Sequence, residues 1–297
     1  MAQPMRIKLI ANPVAGGDAR ARIARAQAHL ERRGCQVELC LTAARGDARK
    51  AAAAARSEGF DRVIAAGGDG TLNEVLNGLA PSTIPLAFLP LGTTNVFALE
   101  VGIPFAVEAA CDLAVDGEAR PVCLGRAGDE RFLLMLSAGF DAEVVFRVSS
   151  RLKRWTGKFA YGACALTTLL RRSPAALDLM RADGLVLRGF GVVIGNGRLY
   201  GGRFSFTPAA NLEAPELDVC LLLRPGRLAL LSALLRVALG RPLRPAQALQ
   251  FKTTALDIHG SGVHAQFDGD YLGSLPLQVR AEPGQLLLVF PPGRGSV

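Results

Sequence analysis

The stretch Ala65–Glu74 reads AAGGDGTLNE, and it decides the class of fold. It begins in the apolar run Val63–Ala66, which is typical of a buried strand, and it leads into Thr71–Leu79, which is typical of a helix. Glycines let a backbone approach a ligand closely, and the first turn of a helix offers N–H groups without intrahelical acceptors. The stretch therefore predicts a phosphate-binding turn between a strand and a helix.

Strand-like and helical runs alternate on both sides of this turn. The strand-like runs of the first 120 residues are Arg6–Ala11, Val37–Leu41, Val63–Ala66 and Leu86–Leu89, and helical stretches separate them. Such alternation indicates parallel strands joined by crossover helices. We expect an α/β domain with an open parallel sheet over residues 1–124.

The pattern changes from about Arg126 onward. Many short β-rich segments follow one another, separated by Gly and Pro, which is typical of a β-sandwich. Two helical insertions, Val148–Arg172 and Leu228–Leu239, interrupt them. We therefore expect a second domain, a β-sandwich with helical insertions, over residues 125–297.

Composition restricts the possible classes of protein. Half of the 297 residues are hydrophobic and 20% are charged, which excludes extended disorder. The net charge of +8 favours anionic partners without choosing among them. No apolar run reaches the length of a spanning helix, and no secretory signal pattern opens the chain. The six cysteines lack zinc-site spacing, so we expect a cytoplasmic protein with reduced, buried cysteines.

Asp69 lies inside the glycine-rich turn. A carboxylate among phosphate-binding amides would repel a polyphosphate unless a divalent cation lay between them or the carboxylate had a catalytic role. We expect magnesium as the mediator and count Asp69 among the candidate catalytic residues. The alternative is a plain glycine turn in which Asp or Thr caps the helix. The stretch contains neither the P-loop pattern nor the dinucleotide fingerprint.

Two further turns follow strands of the same predicted sheet. They are Ala11–Gly17, after the first strand, and Leu89–Asn95, after the fourth. Ligands of open α/β sheets bind beyond the carboxyl ends of the strands. The sequence therefore predicts that three turns converge on one binding site.

The three turns together resemble the catalytic domain of the diacylglycerol kinase family, which includes bacterial lipid kinases, ceramide kinase and sphingosine kinase. The resemblance rests on Asn12-Pro13, Gly67–Thr71 and Pro90–Asn95, in this order. It continues in the second half of the chain, where the matching positions are Ser137–Ala142, Gly195–Gly197, Tyr200–Gly202, Pro208 and Phe267–Asp270.

The resemblance implies ATP-dependent transfer of the γ-phosphoryl group to a lipid hydroxyl, by default from diacylglycerol to phosphatidate. It implies nucleotide in the cleft between an α/β domain and a β-sandwich domain, with magnesium delivered by ATP and contacted by Asp69. The ATP-binding positions carried over are Asn12, Thr42, Gly67, Gly68, Asp69, Gly70, Thr71, Leu72, Asn73 and Thr93.

Asp268-Gly269-Asp270 is the candidate for proton transfer. Asp270 matches the family's Glu, and a carboxylate that takes the proton of the lipid alcohol contributes roughly 10²- to 10⁴-fold. Asp268 is its nearest partner, either orienting this base or helping to hold magnesium. Asp is one methylene shorter than Glu, so the base must approach differently or act through water. The alternative is an Asp-Gly hairpin turn after Val263–Phe267.

A second departure lies in the loop Leu212–Asp218, where the family carries a magnesium-binding Leu-Asp-Asp-Gly-type sequence. The usual liganding carboxylate falls on Ala214, which weakens a structural magnesium site.

Basic residues surround both helical insertions. Arg151, Lys153, Arg154 and Lys158 lie around Trp155 and Phe159, and five arginines flank Leu228–Leu239. Such segments bind anionic membranes or are solvated helix faces. We expect peripheral association with the inner face of the membrane, no nucleic-acid partner, and a homodimer as one possible assembly.

Two other functions stay open at this point. One is an NAD kinase, which shares a Gly-Gly-Asp-Gly-Thr turn and a two-domain plan. The other is a nucleotide-regulated lipid-binding protein that has lost catalysis.

Overall fold

The computed structural model describes residues 3–151 and 174–293. The chain divides into two compact units, Met1–Leu124 with Pro283–Val297, and Gly125–Glu282. The sequence pattern assigned the whole tail to the second domain. The difference arises because the last strand begins in the second unit and ends in the first.

The first unit contains a parallel sheet with helices between its strands, in agreement with the expected fold class. Its strands are β1 (Arg6–Ala11), β2 (Gln36–Leu41), β3 (Arg62–Gly67) and β4 (Ser82–Pro90), in the spatial order β2-β1-β3-β4. Its helices are α1 (Ala19–Arg32), α2 (Asp47–Ala55), α3 (Asp69–Leu79), α4 (Val96–Val101) and α5 (Val107–Asp116).

Burial explains why the central strands read as continuous apolar runs. Every residue of β3 is buried, because helices cover both faces of a parallel sheet. Small residues allow the helices to pack closely: a Cβ on Gly78 of α3 would collide with the backbone of Arg49 in α2. This packing fixes α3, and with it the glycine-rich turn that precedes it.

The last strand, β16 (Leu277–Phe290), belongs to both units. Its first part pairs with β13 (Ala255–His259), and Leu286 and Leu288 pair in parallel with Ser82 and Leu86 of β4. Pro283-Gly284, a pair typical of turns, lies between these two parts. Gly284 has a φ of 68°, yet it lies within the strand without ending it. A neighbouring strand, β5 (Glu118–Ala127), also pairs with β16.

The second unit is built from antiparallel strands in two layers. One sheet has the order β12-β11-β10-β7-β14-β15, and β16, β13, β8 and β9 follow one another in the other. The remaining elements are β6 (Glu130–Phe132), β7 (Met135–Ala138), α6 (Phe140–Arg151), β8 (Leu177–Arg181), β9 (Val186–Gly189), β10 (Val192–Gly195), β11 (Leu217–Leu222), α7 (Arg227–Ala238), β12 (Ala248–Thr253), β14 (His264–Phe267) and β15 (Asp270–Ser274).

The core of the second unit draws alternate residues from both sheets. Leu136, Ile194 and Leu217 come from one layer, and Leu179 and Ile258 come from the other. This is the packing of a β-sandwich, as the sequence predicts. The second predicted insertion is α7, whereas most of the first, Val148–Arg172, lies outside the described residues.

The five cysteines that the structure describes form no disulfide with one another. Four are buried, and burial raises the pKa of Cys111 and Cys220 to about 12. Cys164 lies outside the described residues. None of the helices in the described ranges is long and apolar enough to cross a bilayer.

Candidate active site

The carboxyl ends of the parallel strands meet at one edge of the first unit. Register pairs Ala11 with Leu41 and with Ala66, and Gly67 with Pro90. The backbone N–H of Asn12 donates to Ala66 O at 2.9 Å, and that of Thr42 donates to Ala11 O at 2.9 Å. The predicted positions Asn12, Thr42 and Gly68 therefore lie at the same edge of the sheet.

The turn at Gly67–Thr71 packs directly against the turn at Leu89–Asn95 through glycines. The N–H groups of Leu91 and Gly92 both donate to Gly67 O, at 2.8 and 3.0 Å. A Cβ on Gly92 would lie 2.6 Å from the Cα of Gly68, far inside van der Waals contact. Any side chain at position 92 would therefore separate the two turns.

The start of α3 is open to a ligand. The amides of Thr71 and Leu72 donate to Gly68 O at 3.0 and 3.1 Å, so Asp69 and Gly70 precede the first intrahelical bonds. Gly70 is exposed, and no atom lies within 4 Å of the position its Cβ would occupy. Open backbone at the positive end of a helix dipole fits an anionic phosphate.

The Asp69 carboxylate caps a second helix. Its Oδ2 accepts the N–H of Val96 at 2.9 Å, and its Oδ1 accepts that of Phe97 at 3.2 Å. Burial raises the pKa of Asp69, and these hydrogen bonds oppose that shift. The side chain thus ties the second turn to the start of α4. Its contact with magnesium stays a prediction.

The predicted nucleotide-binding side chains at this edge differ in how far they are buried. Asn12 Nδ2 lies 3.5 Å from Thr71 Oγ1, its Oδ1 accepts the N–H of Val14 at 3.0 Å, and Thr93 is exposed. By contrast, Leu72 is a core residue with 2% of its surface exposed, and the buried Asn73 Oδ1 accepts Asn77 Nδ2 at 2.5 Å. The structure therefore places both side chains in the packing of α3. Their contact with nucleotide stays a prediction.

Two residues hold the Leu89–Asn95 turn in place, and no local sequence pattern marks either of them. Arg22 Nη2 donates to Pro90 O at 2.9 Å, and its Nη1 donates to Leu91 O at 3.3 Å. Asn95 is buried with a φ of 49°, and its Nδ2 donates to Gly92 O at 2.8 Å. Arg22 lies in an Ala/Arg-rich helix where no pattern distinguishes it from its neighbours. Asn95 ends the Pro90–Asn95 motif, and its position there does not reveal the hydrogen bond to Gly92.

In the second unit, Asp268 and Gly269 form the two-residue turn between β14 and β15. Their φ values of 45° and 87° are those of a hairpin turn that favours Asp-Gly. The Asp268 carboxylate accepts the amides of Leu133, Leu134 and Met135 at 2.8, 3.1 and 2.9 Å. It therefore anchors to the chain leading into β7 the hairpin that carries Asp270. That it orients the base or helps to hold magnesium stays a prediction.

Asp270 is the first residue of β15, opposite Phe267, and is half-buried. The hairpin that carries it is braced by Gln266, whose Oε1 accepts the N–H of Gly269 at 2.9 Å. Gln266 Nε2 donates to Ser137 Oγ at 2.5 Å and to Asp141 Oδ2 at 3.3 Å. Both Gln266 and Ser137 are buried, so the turn rests on a fixed base.

Asp141 is the centre of this buried network. Its Oδ2 accepts hydrogen bonds from Ser137 Oγ and, at 2.8 Å, from Tyr200 OH. Burial, with the Asp141 charge beside it, raises the pKa of Tyr200 well above its ordinary value, so Tyr200 stays a donor. Asp141 and Tyr200 lie in separate sequence motifs, and no local pattern predicts the hydrogen bond that joins them.

The Leu212–Asp218 loop shows no grouped carboxylates. Asp218 is buried and its pKa is raised by burial, while Glu213 uses its N–H to bond Asn211 Oδ1 at 2.9 Å. Within the described residues, no three His, Cys, Asp or Glu side chains group as a metal site. A magnesium that arrives with ATP would bring phosphate and water oxygens as most of its ligands.

With this geometry in place, the comparisons with known proteins define the class. Residues 6–127 match the model of the diacylglycerol kinase catalytic domain, and residues 135–290 match that of the YegS C-terminal NAD kinase beta sandwich-like domain. The chain belongs to the diacylglycerol kinase family of lipid kinases, as its motifs suggest.

Two curated relatives show how far the similarity extends. The chain is 31% identical to a diacylglycerol kinase of Bacillus subtilis over 281 residues, covering 91% of each chain. It is 35% identical to a Pseudomonas putida protein named "Probable lipid kinase YegS-like", covering 84% of this chain and 83% of that one.

Solved structures agree on the fold. A diacylglycerol kinase from Bacillus anthracis superposes with a TM-score of 0.75 at 24% identity, over 98% of this chain and 99% of that one. An Archaeoglobus fulgidus NAD kinase in complex with ATP superposes with a TM-score of 0.53 at 16% identity, over 96% and 93%.

Proposed function

We propose that this chain is an ATP-dependent lipid kinase that transfers the γ-phosphoryl group to a lipid hydroxyl, with diacylglycerol as acceptor and phosphatidate as product. The observation that carries the proposal is the gathering of three glycine-containing turns and an open helix start at one sheet edge. The family relatives named diacylglycerol kinase support the choice of acceptor.

The nucleotide part of the proposal uses backbone groups of the first unit. The amides at Gly68 and Gly70 hold phosphate oxygens, and Asn12, Thr42 and Thr93 supply polar groups around them. Magnesium, when bound with ATP, neutralises part of the phosphate charge. We assign the contact with magnesium to Asp69, whose carboxylate also holds the start of α4 through the amides of Val96 and Phe97.

The acceptor part of the proposal uses Asp270. A lipid alcohol is a poor nucleophile, and Asp270 accepts its proton as the bond to phosphorus forms, directly or through one water. Asp268 and Gln266 are positioning residues, because their hydrogen bonds hold the hairpin rather than substrate. Residues 1–124 are assigned to nucleotide binding and residues 125–297 to the lipid.

The test is incubation with γ-labelled ATP and magnesium in the presence of detergent-dispersed diacylglycerol, other lipid alcohols, or NAD. We expect label in phosphatidate. Label confined to another lipid would keep the kinase and replace the acceptor. Label in NADP would reject the proposal in favour of an NAD kinase, the alternative that the fold of the ATP-bound archaeal enzyme favours.

A nucleotide-regulated lipid-binding protein without catalysis is the second alternative. The shorter Asp270 and the loss of a carboxylate at Ala214 favour it. It predicts calorimetric ATP binding with no label transferred to any acceptor.

A cytoplasmic location at the inner face of the membrane and a possible homodimer complete the proposal.

A further inference from the structure

The helix α7 is apolar on two opposite faces. On one face, Leu230, Ala233 and Val237 are buried. On the other face, Leu228, Leu231, Leu235 and Leu239 are 82%, 38%, 53% and 67% exposed. Packing in the second unit accounts for the buried face alone. We call the four exposed residues the leucine stripe.

The leucine stripe is continuous along the helix. Its members follow one another at intervals of three or four residues, which places them on one side of a helix with 3.6 residues per turn. The stripe runs about 16 Å along the axis at 1.5 Å per residue. Scattered exposed leucines are ordinary, but an aligned row of them indicates an interaction surface.

The charged residues of the sequence segment that carries the stripe are all basic. Between Asp218 and Asp257 the sequence contains no Asp or Glu, while it contains Arg224, Arg227, Arg236, Arg241, Arg244 and Lys252. Arg224 Nε bonds Ala246 O at 2.9 Å, and Arg236 Nη2 bonds Pro242 O at 2.7 Å, which fixes two of these charges beside the helix. Carbonyl oxygens satisfy the guanidinium donors without neutralising the charge.

We propose that α7 docks on an anionic phospholipid bilayer, with the leucine stripe among the acyl chains and the flanking arginines at the headgroups. An apolar helix face bordered by basic residues is the pattern of an interfacial helix. A protein partner of matching shape would need an acidic rim, whereas an anionic bilayer supplies negative charge on every side. The inference deepens the proposed function, because it assigns the surface through which the enzyme reaches a membrane lipid.

The test is co-sedimentation of the whole protein, without ATP, with vesicles of phosphatidylcholine and phosphatidylglycerol in equal parts, compared with phosphatidylcholine alone. The triple variant Leu228→Gln, Leu231→Gln, Leu235→Gln should bind the anionic vesicles roughly tenfold or more weakly, since apolar area no longer enters the bilayer. The matched control Leu185→Gln with Val186→Gln changes exposed apolar residues of the β8–β9 hairpin and should bind as the wild type does.

The arginines provide a second, independent variant. Arg241→Gln with Arg244→Gln should weaken binding about fivefold per residue, and added salt should weaken the wild type in the same way. The control Arg56→Gln with Arg280→Gln removes two exposed arginines elsewhere and should change binding little. Equal binding to neutral and anionic vesicles would contradict the role of charge.

Three results would overturn the proposal: no vesicle binding by the wild type, unchanged binding by the folded triple variant, or a dimer that this variant converts to monomer. The last would assign the stripe to a second copy of the chain. Phosphorylation of a short-chain, water-soluble diacylglycerol separates this inference from the proposed function. The triple variant should retain that activity. Absence of the activity in the wild type would reject diacylglycerol as the acceptor, and absence of label in every lipid alcohol would reject the kinase, without bearing on vesicle binding.

Discussion

Asp69 in the first unit and Asp268 in the second both accept hydrogen bonds from backbone amides through their carboxylates. The segments that they connect differ. Asp69 joins the glycine-rich turn to the start of α4, so it links two parts of the predicted nucleotide site. Asp268 joins a hairpin to the strand entrance at Leu133–Met135. One aspartate couples two binding turns, and the other holds the turn that presents Asp270.

The two carboxylates also accept different numbers of backbone N–H groups. We therefore expect different losses of stability when each is removed. Asp268 accepts three N–H groups and Asp69 accepts the two of Val96 and Phe97. A buried donor left without an acceptor costs about 1–3 kcal/mol. Stability measurements on matched variants test whether the two aspartates differ in this way.

The largest loss of stability is expected for Asp268→Ala. Three amides of buried residues lose their acceptor, and alanine also tolerates a φ of 45° poorly, so the free energy of unfolding should fall by about 3–5 kcal/mol. Urea unfolding measures it. Asp183→Ala, which removes one amide acceptor and an ion pair with Arg181 from an exposed turn, should cost about 1 kcal/mol or less. Equal losses in the two variants would show that Asp268 does not anchor the hairpin.

Gly92→Ala should have the next largest effect. Its Cβ would meet the Gly68 backbone, which cannot rotate away, so we expect a loss of about 1–3 kcal/mol together with weaker ATP binding. Gly17→Ala is the stability control, because no atom lies within 4 Å of its added methyl group. Calorimetric ATP affinity equal to that of the wild type would mean that contact between the two turns is not needed for the site.

Much of the fold could be predicted from the sequence, since strand and helix periodicity reports burial, and burial follows from the layers. The β16 strand could not, because Pro283-Gly284 has the local chemistry of a turn while pairing with β4 is a long-range interaction. The site was predicted at the level of turns. The motif Gly67–Thr71 marks a close approach of backbone, but nothing local reveals that Asp69 bonds an amide 27 residues away.

The same limit applies to Asp268. An Asp-Gly pair between strands predicts a hairpin, and the structure has that hairpin, but three hydrogen bonds to residues far earlier in the chain decide what the carboxylate does. Residues such as Arg22 and Gln266 act through tertiary hydrogen bonds alone. Sequence spacing carries no record of such contacts.

The smallest expected effect concerns the charge on Asp69. Its pKa is raised in the folded state, so the folded protein binds the proton more tightly than the unfolded chain does. Stability relative to the Asp69→Asn variant should therefore fall as the pH rises from the ordinary aspartate range through the raised value. Urea unfolding of both proteins across this range provides the measurement. Parallel pH profiles would contradict a buried, ionisable Asp69.

The central claim is that Asp270 is the base and Asp268 its anchor, and turnover by Asp270→Asn tests it most directly. With γ-labelled ATP and diacylglycerol, we predict a fall in kcat of roughly 10²- to 10⁴-fold, with ATP affinity and unfolding free energy close to those of the wild type. Asp270→Glu, which restores the length found in the family, should retain measurable turnover. An unchanged kcat in Asp270→Asn would contradict the account.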